Sequence, residues 1–285
     1  MGKILTGIFV TLALVSCENN TAPNEHIYVQ NKSGQIQDTI VNDHASNENF
    51  PDDQYLIELS ENLHGLWISD NYLKNIAKSQ SIYSSRNYDT KILGFNLDKR
   101  NLQTDSAYLN GFTDHEGGYG SPIKYDKQKR KFVTHTSKLT EFAAFPEAFE
   151  LNFNSSKILT MYFPDTKKSD NYRKINFDFQ TEIRKILIAG KYTSTYKNSK
   201  IRLDNDGSVH NFNNFVYYEL IADFGMGIDF DAIIFFKTRK GGNWSNGEIY
   251  KFIIDNNTLI LQHIKTNWET FEHEISDELI IFELE

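Results

Sequence analysis

The chain has 285 residues and a formal charge of −8, and an acidic balance of this size argues against nucleic acid, or a broad anionic surface, as a partner. A single cysteine leaves no disulfide within the chain and no thiolate metal site. Aromatic residues reach 14%, with 21 Phe and 15 Tyr, and such side chains suit the half-buried surface of a pleated sheet.

The first residues carry one positive charge, Lys3, ahead of an apolar stretch from Ile4 to Val15. That stretch is shorter than the roughly 20 residues of a permanent membrane-spanning helix and has the size of the apolar core of a secretory signal. Ser16 then precedes the only cysteine, and Leu14-Val15-Ser16-Cys17 resembles the bacterial lipobox. The resemblance implies that residues 1–16 are a cleaved lipoprotein signal and that Cys17 carries the lipid that holds the mature chain on a membrane. Lipid on Cys17 places the chain in the cell envelope. Glu18 stands where aspartate is usual for inner-membrane retention, which favours the outer membrane. Residues 17–54 are rich in Asn, Asp, Gln, Ser and Glu with few large apolar residues; they cannot bury enough surface to offset their ordering entropy. They read as a tether with a root-mean-square reach of roughly 35 Å.

From Tyr55 onward the texture changes to short alternating or apolar runs separated by turn clusters, the pattern of an all-β chain. Gly65-Leu66-Trp67 opens the first such run. A short helix is expected directly after it: Ser69-Asp70-Asn71 supplies capping residues, and Leu73, Ile76, Ala77 and Tyr83 recur at helical spacing between Tyr72 and Tyr83. Farther along, Asp126-Lys127-Gln128-Lys129 reads as a hairpin turn within a basic cluster, a solvated tip. Phe149, Leu151 and Phe153 alternate into a turn at Asn154–Lys157, and Ile158–Tyr162 returns. Tyr250, Phe252 and Ile254 do the same around Asp255–Thr258, with Leu259–His263 returning, and the two hairpin sequences superpose without a gap. A third hairpin spans Ile201–Val209, its Asp204-Asn205-Asp206-Gly207 reading as a turn rather than a calcium loop. Gly190-Lys191-Tyr192 echoes Gly65-Leu66-Trp67, and closing strands are available at Tyr172–Phe179 and Glu278–Leu284. The fold expected is all-β, with two tandem antiparallel β-barrel units at 55–182 and 183–285, the first carrying the inserted helix.

Gly65, Trp67 and the antiparallel run that follows resemble the lipocalin and calycin barrels, and the whole chain looks similar to lipocalin-like outer-membrane lipoproteins of Gram-negative bacteria. The resemblance implies that Trp67 plugs the closed barrel end under an arginine from near the last strand, a place Arg173 can take, with Gly65 allowing close approach. The second half departs from that pattern, with Tyr192 in place of tryptophan and no arginine in its last strand.

Enzyme signatures are missing from the sequence: no serine has glycines two before and two after it, no phosphate-binding loop is present, and Gly225-Met226-Gly227 has no third glycine. His115-Glu116-Gly117-Gly118-Tyr119 falls one residue short of a zinc-protease motif, because Tyr119 stands where the second histidine belongs. Asp114, His115 and Tyr119 read instead as a loop at a barrel mouth. Trp244, after Gly241-Gly242-Asn243, reads as a packing anchor or a recognition aromatic. No enzyme activity, cofactor, metal or nucleic acid is expected. The leading expectation is a small, partly apolar ligand held in the first barrel under the Tyr72–Tyr83 helix, touched by Tyr72, Ile76, Tyr83, Asp114, His115 and Tyr119. The alternative is a structural or protein-interaction lipoprotein whose barrels are filled by their own side chains, with an envelope protein as partner. Small inward residues would favour a cavity and large ones a packed core, and the many Phe and Tyr make the packed core a serious competitor.

Overall fold

The structure is a computed structural model that describes residues 54–86, 92–103, 107–112, 119–138, 147–155, 157–196, 199–222, 224, 228–239, 244–268, 270 and 272–285. Cys17, the signal segment, the tether up to residue 53, Asp114 and His115 lie outside the described residues.

The first described element is a helix, α1 (Gln54–Leu63), whose Leu56, Leu59 and Leu63 fall on one buried face. Eight strands follow: β1 (Gly65–Ser69), β2 (Gly94–Leu97), β3 (Ala107–Phe112), β4 (Tyr119–Asp126), β5 (Lys131–Thr134), β6 (Glu150–Ser155), β7 (Ile158–Phe163) and β8 (Lys168–Ile175). Each pairs antiparallel with the next, and β1 also pairs with β8, so the sheet closes into an eight-stranded barrel. Closure leaves no edge strand to template another chain. Alternation sets what fills it: in β3, Ala107 and Leu109 are buried while Tyr108 and Asn110 are exposed.

The helix expected after β1 is α2 (Asp70–Ser79). Ser69 caps it by accepting from Tyr72 N–H, and Gln80, in the left-handed region at φ 54°, ends it by donating its backbone N–H to Ile76 O. A short α3 (Lys99–Leu102), capped by Asp98, links β2 to β3. After β8 comes α4 (Phe179–Leu187), capped by Asp178 and burying Ile183 and Leu187. The closing strand expected to reach Phe179 therefore stops at Ile175, and the boundary expected between residues 182 and 183 falls inside a helix.

The second half forms one antiparallel sheet of β9 (Gly190–Ser194), β10 (Lys200–Leu203), β11 (Val209–His210), β12 (Tyr217–Leu220), β13 (Ala232–Phe236), β14 (Glu248–Asp255), β15 (Thr258–Asn267) and β16 (Glu272–Leu284). Its order is β11-β10-β9-β16-β15-β14-β13-β12. The two outermost strands meet at a bridge between Ser208 and Tyr217, flanked by Val209 N–H donating to Val216 O at 3.1 Å and Tyr218 N–H to Gly207 O at 2.8 Å. The turn between β10 and β11 is the expected one, with Gly207 at φ 90° supplying the conformation that other residues resist.

The hairpins β6–β7 and β14–β15 form where the sequence places them, but they do not superpose without a gap. A bulge between Phe153 and Ser155 shifts the first register, so Leu151 faces Met161 whereas Phe252 faces Leu261. One extra residue in a strand moves the return strand by one position.

Two large cores hold the fold. One fills the first barrel, from Leu56, Leu59 and Leu63 through Trp67, Phe95, Phe132 and Leu159 to Tyr172. The other fills the concave side of the second sheet and also takes in Ile68, Tyr72, Leu73 and Ile76 from β1 and α2. The described residues accordingly belong to one compact unit.

Candidate functional site

Trp67, on β1, lies in the core of the first barrel together with the buried face of α1. It is 0% exposed, and its Nε1–H donates to Leu63 O at 2.7 Å. The tryptophan thus satisfies a carbonyl left open at the C-terminus of α1. The covering cation is Lys174 and not Arg173. Trp67 pairs with Lys174 across β1 and β8, so both point to one face, while Arg173 pairs with Ile68 and points to the other. Lys174 Nζ lies 5.7 Å from the Trp67 ring centre and donates to Asn62 O at 2.9 Å, and burial holds its ammonium below the ordinary range. Arg173 instead donates to Asp70 at 2.5 Å, and Lys74 reaches the same carboxylate at 2.6 Å. Burial works against the Asp70 charge, but these two cations outweigh it and hold the carboxyl below its usual range. Gly65, at φ 118°, starts the strand in a conformation open to glycine.

Of the residues expected to hold a ligand, the described side chains of Tyr72, Ile76 and Tyr83 are not gathered at a mouth of the first barrel. Tyr72 and Ile76 are fully buried, and with Leu73 they pack into the core of the second sheet rather than over the first barrel. Tyr72 stacks on Phe179 of α4 at 6.3 Å, so the apolar side of α2 is spent on that packing. Tyr83 lies in a 3₁₀ turn (Tyr83–Ser85), its ring edge-on to Phe224 and covered by the Arg86 guanidinium at 3.8 Å. Tyr119 is the first residue of β4. The turn at Tyr83 is fastened by a residue that gave no sign in the sequence: Asp231, just before β13, accepts from Ile82 N–H at 2.7 Å and Tyr83 N–H at 2.8 Å. Burial raises the Asp231 carboxyl, and these hydrogen bonds oppose the rise.

Among the described residues, large side chains point into the first barrel. Phe95, Leu109, Ile123, Phe132, Leu159 and Met161 are all fully buried and belong to one contact cluster with Trp67. Tyr172 packs on Phe95 at 4.7 Å, and burial pushes its phenol far above the ordinary range.

The second sheet carries a hydrogen bond analogous to that of Trp67. Tyr192 Oη donates to Ile188 O at 2.7 Å, four residues back at the end of α4, as Trp67 does to Leu63 at the end of α1. Burial pushes the Tyr192 phenol up to about 12. The cation comes from α4: Arg184, fully buried, lies 5.3 Å and 5.2 Å from the rings of Tyr217 and Tyr218 and donates to Tyr217 Oη at 3.2 Å. Away from that end, a cavity of about 500 Å³ opens between the end of β9, the loop after β11 and β16. Phe212 and Ile201 floor it; Tyr196, 91% exposed, and Leu279, 51% exposed, stand at its rim with Asn211 and Asn213. Trp244 opens a 3₁₀ turn beside β14 and packs against Ile234, Phe236 and their neighbours, as an anchor would.

A groove also runs beside the first barrel, bounded by Lys157, Ile158, Lys174, Phe177 and Lys185. Among the described residues no group of three His, Cys, Asp or Glu side chains is close enough to hold a metal, and no helix is long and apolar enough to cross a membrane.

Comparison with family models, curated proteins and solved structures finds no match to this chain.

Proposed function

We propose that the protein is a non-enzymatic, lipid-anchored envelope protein in which two lipocalin-like units serve as a scaffold for contacts made on the outside. The observation that carries this reading is the full burial of Phe95, Phe132, Leu159, Met161 and Trp67 in one contact cluster, which favours a packed first barrel over a hollow one. Kinship of the two units is supported by the repeated order of helix, Gly-x-aromatic and strand, with each aromatic bonded to the carbonyl four residues before it. The anchor rests on Leu14-Val15-Ser16-Cys17. Mass spectrometry of protein extracted from membranes tests both parts. The denatured mass should exceed that of residues 17–285 by the acyl groups alone, and the native mass should show nothing more. An apolar molecule retained in stoichiometric amount would refute the scaffold reading.

A second reading has one observation in its favour, the cavity rimmed by Tyr196 and Leu279. It moves the expected small, partly apolar ligand from the first unit to the second. An environment-sensitive apolar dye bound there should lose about tenfold in affinity on Tyr196→Ala, the share of one rim aromatic. Unchanged affinity would remove this reading.

A further inference from the structure

The end of the first barrel that α1 closes has a chemistry unlike the rest of the chain. Strand directions bring to it the β4–β5 turn with Lys127, Lys129 and Arg130, the β6–β7 turn with Lys157, and the last residues of β8 with Lys174. Contacts with α1 tie these turns together: Arg130 lies over the Tyr55 ring at 4.0 Å, Lys99 of α3 pairs with Glu61, and Lys174 donates to Asn62 O. Lys185 of α4 lies on the same groove as Lys157 and Lys174. Glu150 occupies Lys129 and Lys131, at 2.5 Å and 2.9 Å. Glu58, Asp98, Asp126, Asp178 and Glu182 also lie at this end beside Glu61 and Glu150, but with Arg100 and Lys131 counted the nine cations outnumber the seven carboxylates, in a chain whose total charge is −8. The remaining surface is correspondingly more acidic.

Apolar side chains stand among these cations. The helix that buries Leu56, Leu59 and Leu63 turns Tyr55 and Ile57 outward, 36% and 39% exposed, and Phe177, in the turn between β8 and α4, is 62% exposed. Phe177 lines the groove with Lys157, Lys174 and Lys185. Exposed aromatics and aliphatics interleaved with Lys and Arg are what an anionic bilayer interface binds: the cations meet phosphate groups, and the apolar tips enter the headgroup boundary. The polypeptide also enters the described fold at this end, through Gln54.

We propose that the α1 end of the first barrel docks on the anionic surface of a lipid bilayer. This builds on the proposed anchor, because a tether of residues 17–54 is too long to fix an orientation and the basic end supplies one. It also reverses the expectation drawn from total charge. Cations exceed carboxylates here while the chain as a whole is acidic, so the field at this end attracts what the whole molecule would repel, and the same asymmetry turns this end toward the membrane.

The test uses the full membrane-extracted protein, floated with vesicles of phosphatidylcholine alone or with about 30% phosphatidylglycerol, an anionic content that gives a negative surface potential. Lysines are then labelled with a membrane-impermeant amine reagent and read by mass spectrometry. Lys127, Lys157 and Lys185 should be labelled about threefold less on the anionic vesicles, while Lys200 and Lys265 keep their rates, and about 0.5 M salt should erase the difference. Lys127→Glu with Lys157→Glu, both exposed positions, should abolish the protection of Lys185 while leaving the urea midpoint unchanged. Equal labelling on both vesicles, or protection centred on Lys200 and Lys265, would overturn the proposal. The intact mass reports the acyl groups separately, so an unmodified Cys17 sinks the anchor while the labelling pattern still decides the docking.

Discussion

Trp67→Ala removes a fully buried side chain from the core of the first barrel, and its cost can be worked from its buried area and its hydrogen bond. A buried tryptophan hides about 150–250 Å², which at about 25 cal/mol per Å² corresponds to about 4–6 kcal/mol of transfer free energy before the barrel relaxes. The ring is 0% exposed and inward-facing between α1 and β8, so little relaxation is open to it, and the measured loss should fall at about 3–5 kcal/mol. Part of that is the Nε1–H bond to Leu63 O at 2.7 Å. Trp67→Phe keeps most of the ring and deletes this bond, leaving a helix-end carbonyl open inside the protein; it should cost about 1–2 kcal/mol. Urea unfolding followed by far-ultraviolet circular dichroism reads both, with an unchanged m-value showing that the unfolded state is not altered. The wild-type fluorescence should carry a blue-shifted component that Trp67→Ala removes. A midpoint unmoved by Trp67→Ala would refute this packing, and a Trp67→Phe loss equal to that of Trp67→Ala would refute the division between packing and hydrogen bond.

Asp231→Ala leaves the N–H groups of Ile82 and Tyr83 without their acceptor and should lower stability by about 1–2 kcal/mol. Asp231→Asn keeps an acceptor and sheds a buried charge, so it should stay within about 0.5 kcal/mol of wild type at neutral pH. Because burial raises the Asp231 carboxyl, its ionisation costs stability as pH rises from 3.8 through the raised value, and Asp231→Asn should remove that slope from a pH series of urea midpoints. Glu150 has the opposite sign. Lys129 first and Lys131 second hold its carboxyl below 4.5, so its contribution is present above 4.5 and is lost as pH falls through the depressed value; Glu150→Gln should flatten that acid limb. Gly94→Ala should be among the most damaging small substitutions. Its Cβ would lie 2.6 Å from Trp67 O and 2.6 Å from Ile68 Cδ1, a crowding that costs about 2 kcal/mol or more. Equal midpoints for Gly94→Ala and wild type would show that β1 and β2 are not packed as described.

The parts of the fold legible in the sequence were those with a local signature. Ser69 and the apolar spacing behind it announced α2, the Asn-rich and Asp-rich turns announced three hairpins, and Gly65-Leu66-Trp67 announced the first strand with its buried aromatic. Helices α1 and α4 were less legible. Leu56, Leu59 and Leu63 are correctly spaced, but they follow a long polar stretch that hides the start of the pattern, and α4 begins where a closing strand was expected. Faces were harder than elements. Arg173 and Lys174 are adjacent, and strand alternation sends one to Asp70 and the other to Trp67, which only the β1–β8 register decides. The bulge near Ser155 likewise shifts one hairpin by a residue that a sequence match cannot see. Tertiary partners were out of reach altogether: nothing near Asp231 points to a turn 148 residues before it. The destination of the α2 apolar face was equally hidden, since a periodic stripe states that something is covered without naming what covers it.

The claim on which the account turns is that the first barrel is a filled scaffold. Equilibrium dialysis with a small apolar dye tests it in a Tyr196→Ala background, which removes the rim of the other cavity. That chain should bind no dye in the first barrel, so any residual binding should be weak and unchanged by Ala107→Phe. Adding Phe132→Ala, which opens a void in the barrel core, should create about one site per molecule, as dry apolar voids in other cores accept apolar guests. If the Tyr196→Ala chain already binds one dye, and Ala107→Phe inside the barrel abolishes it, then the barrel is hollow and the scaffold account is wrong.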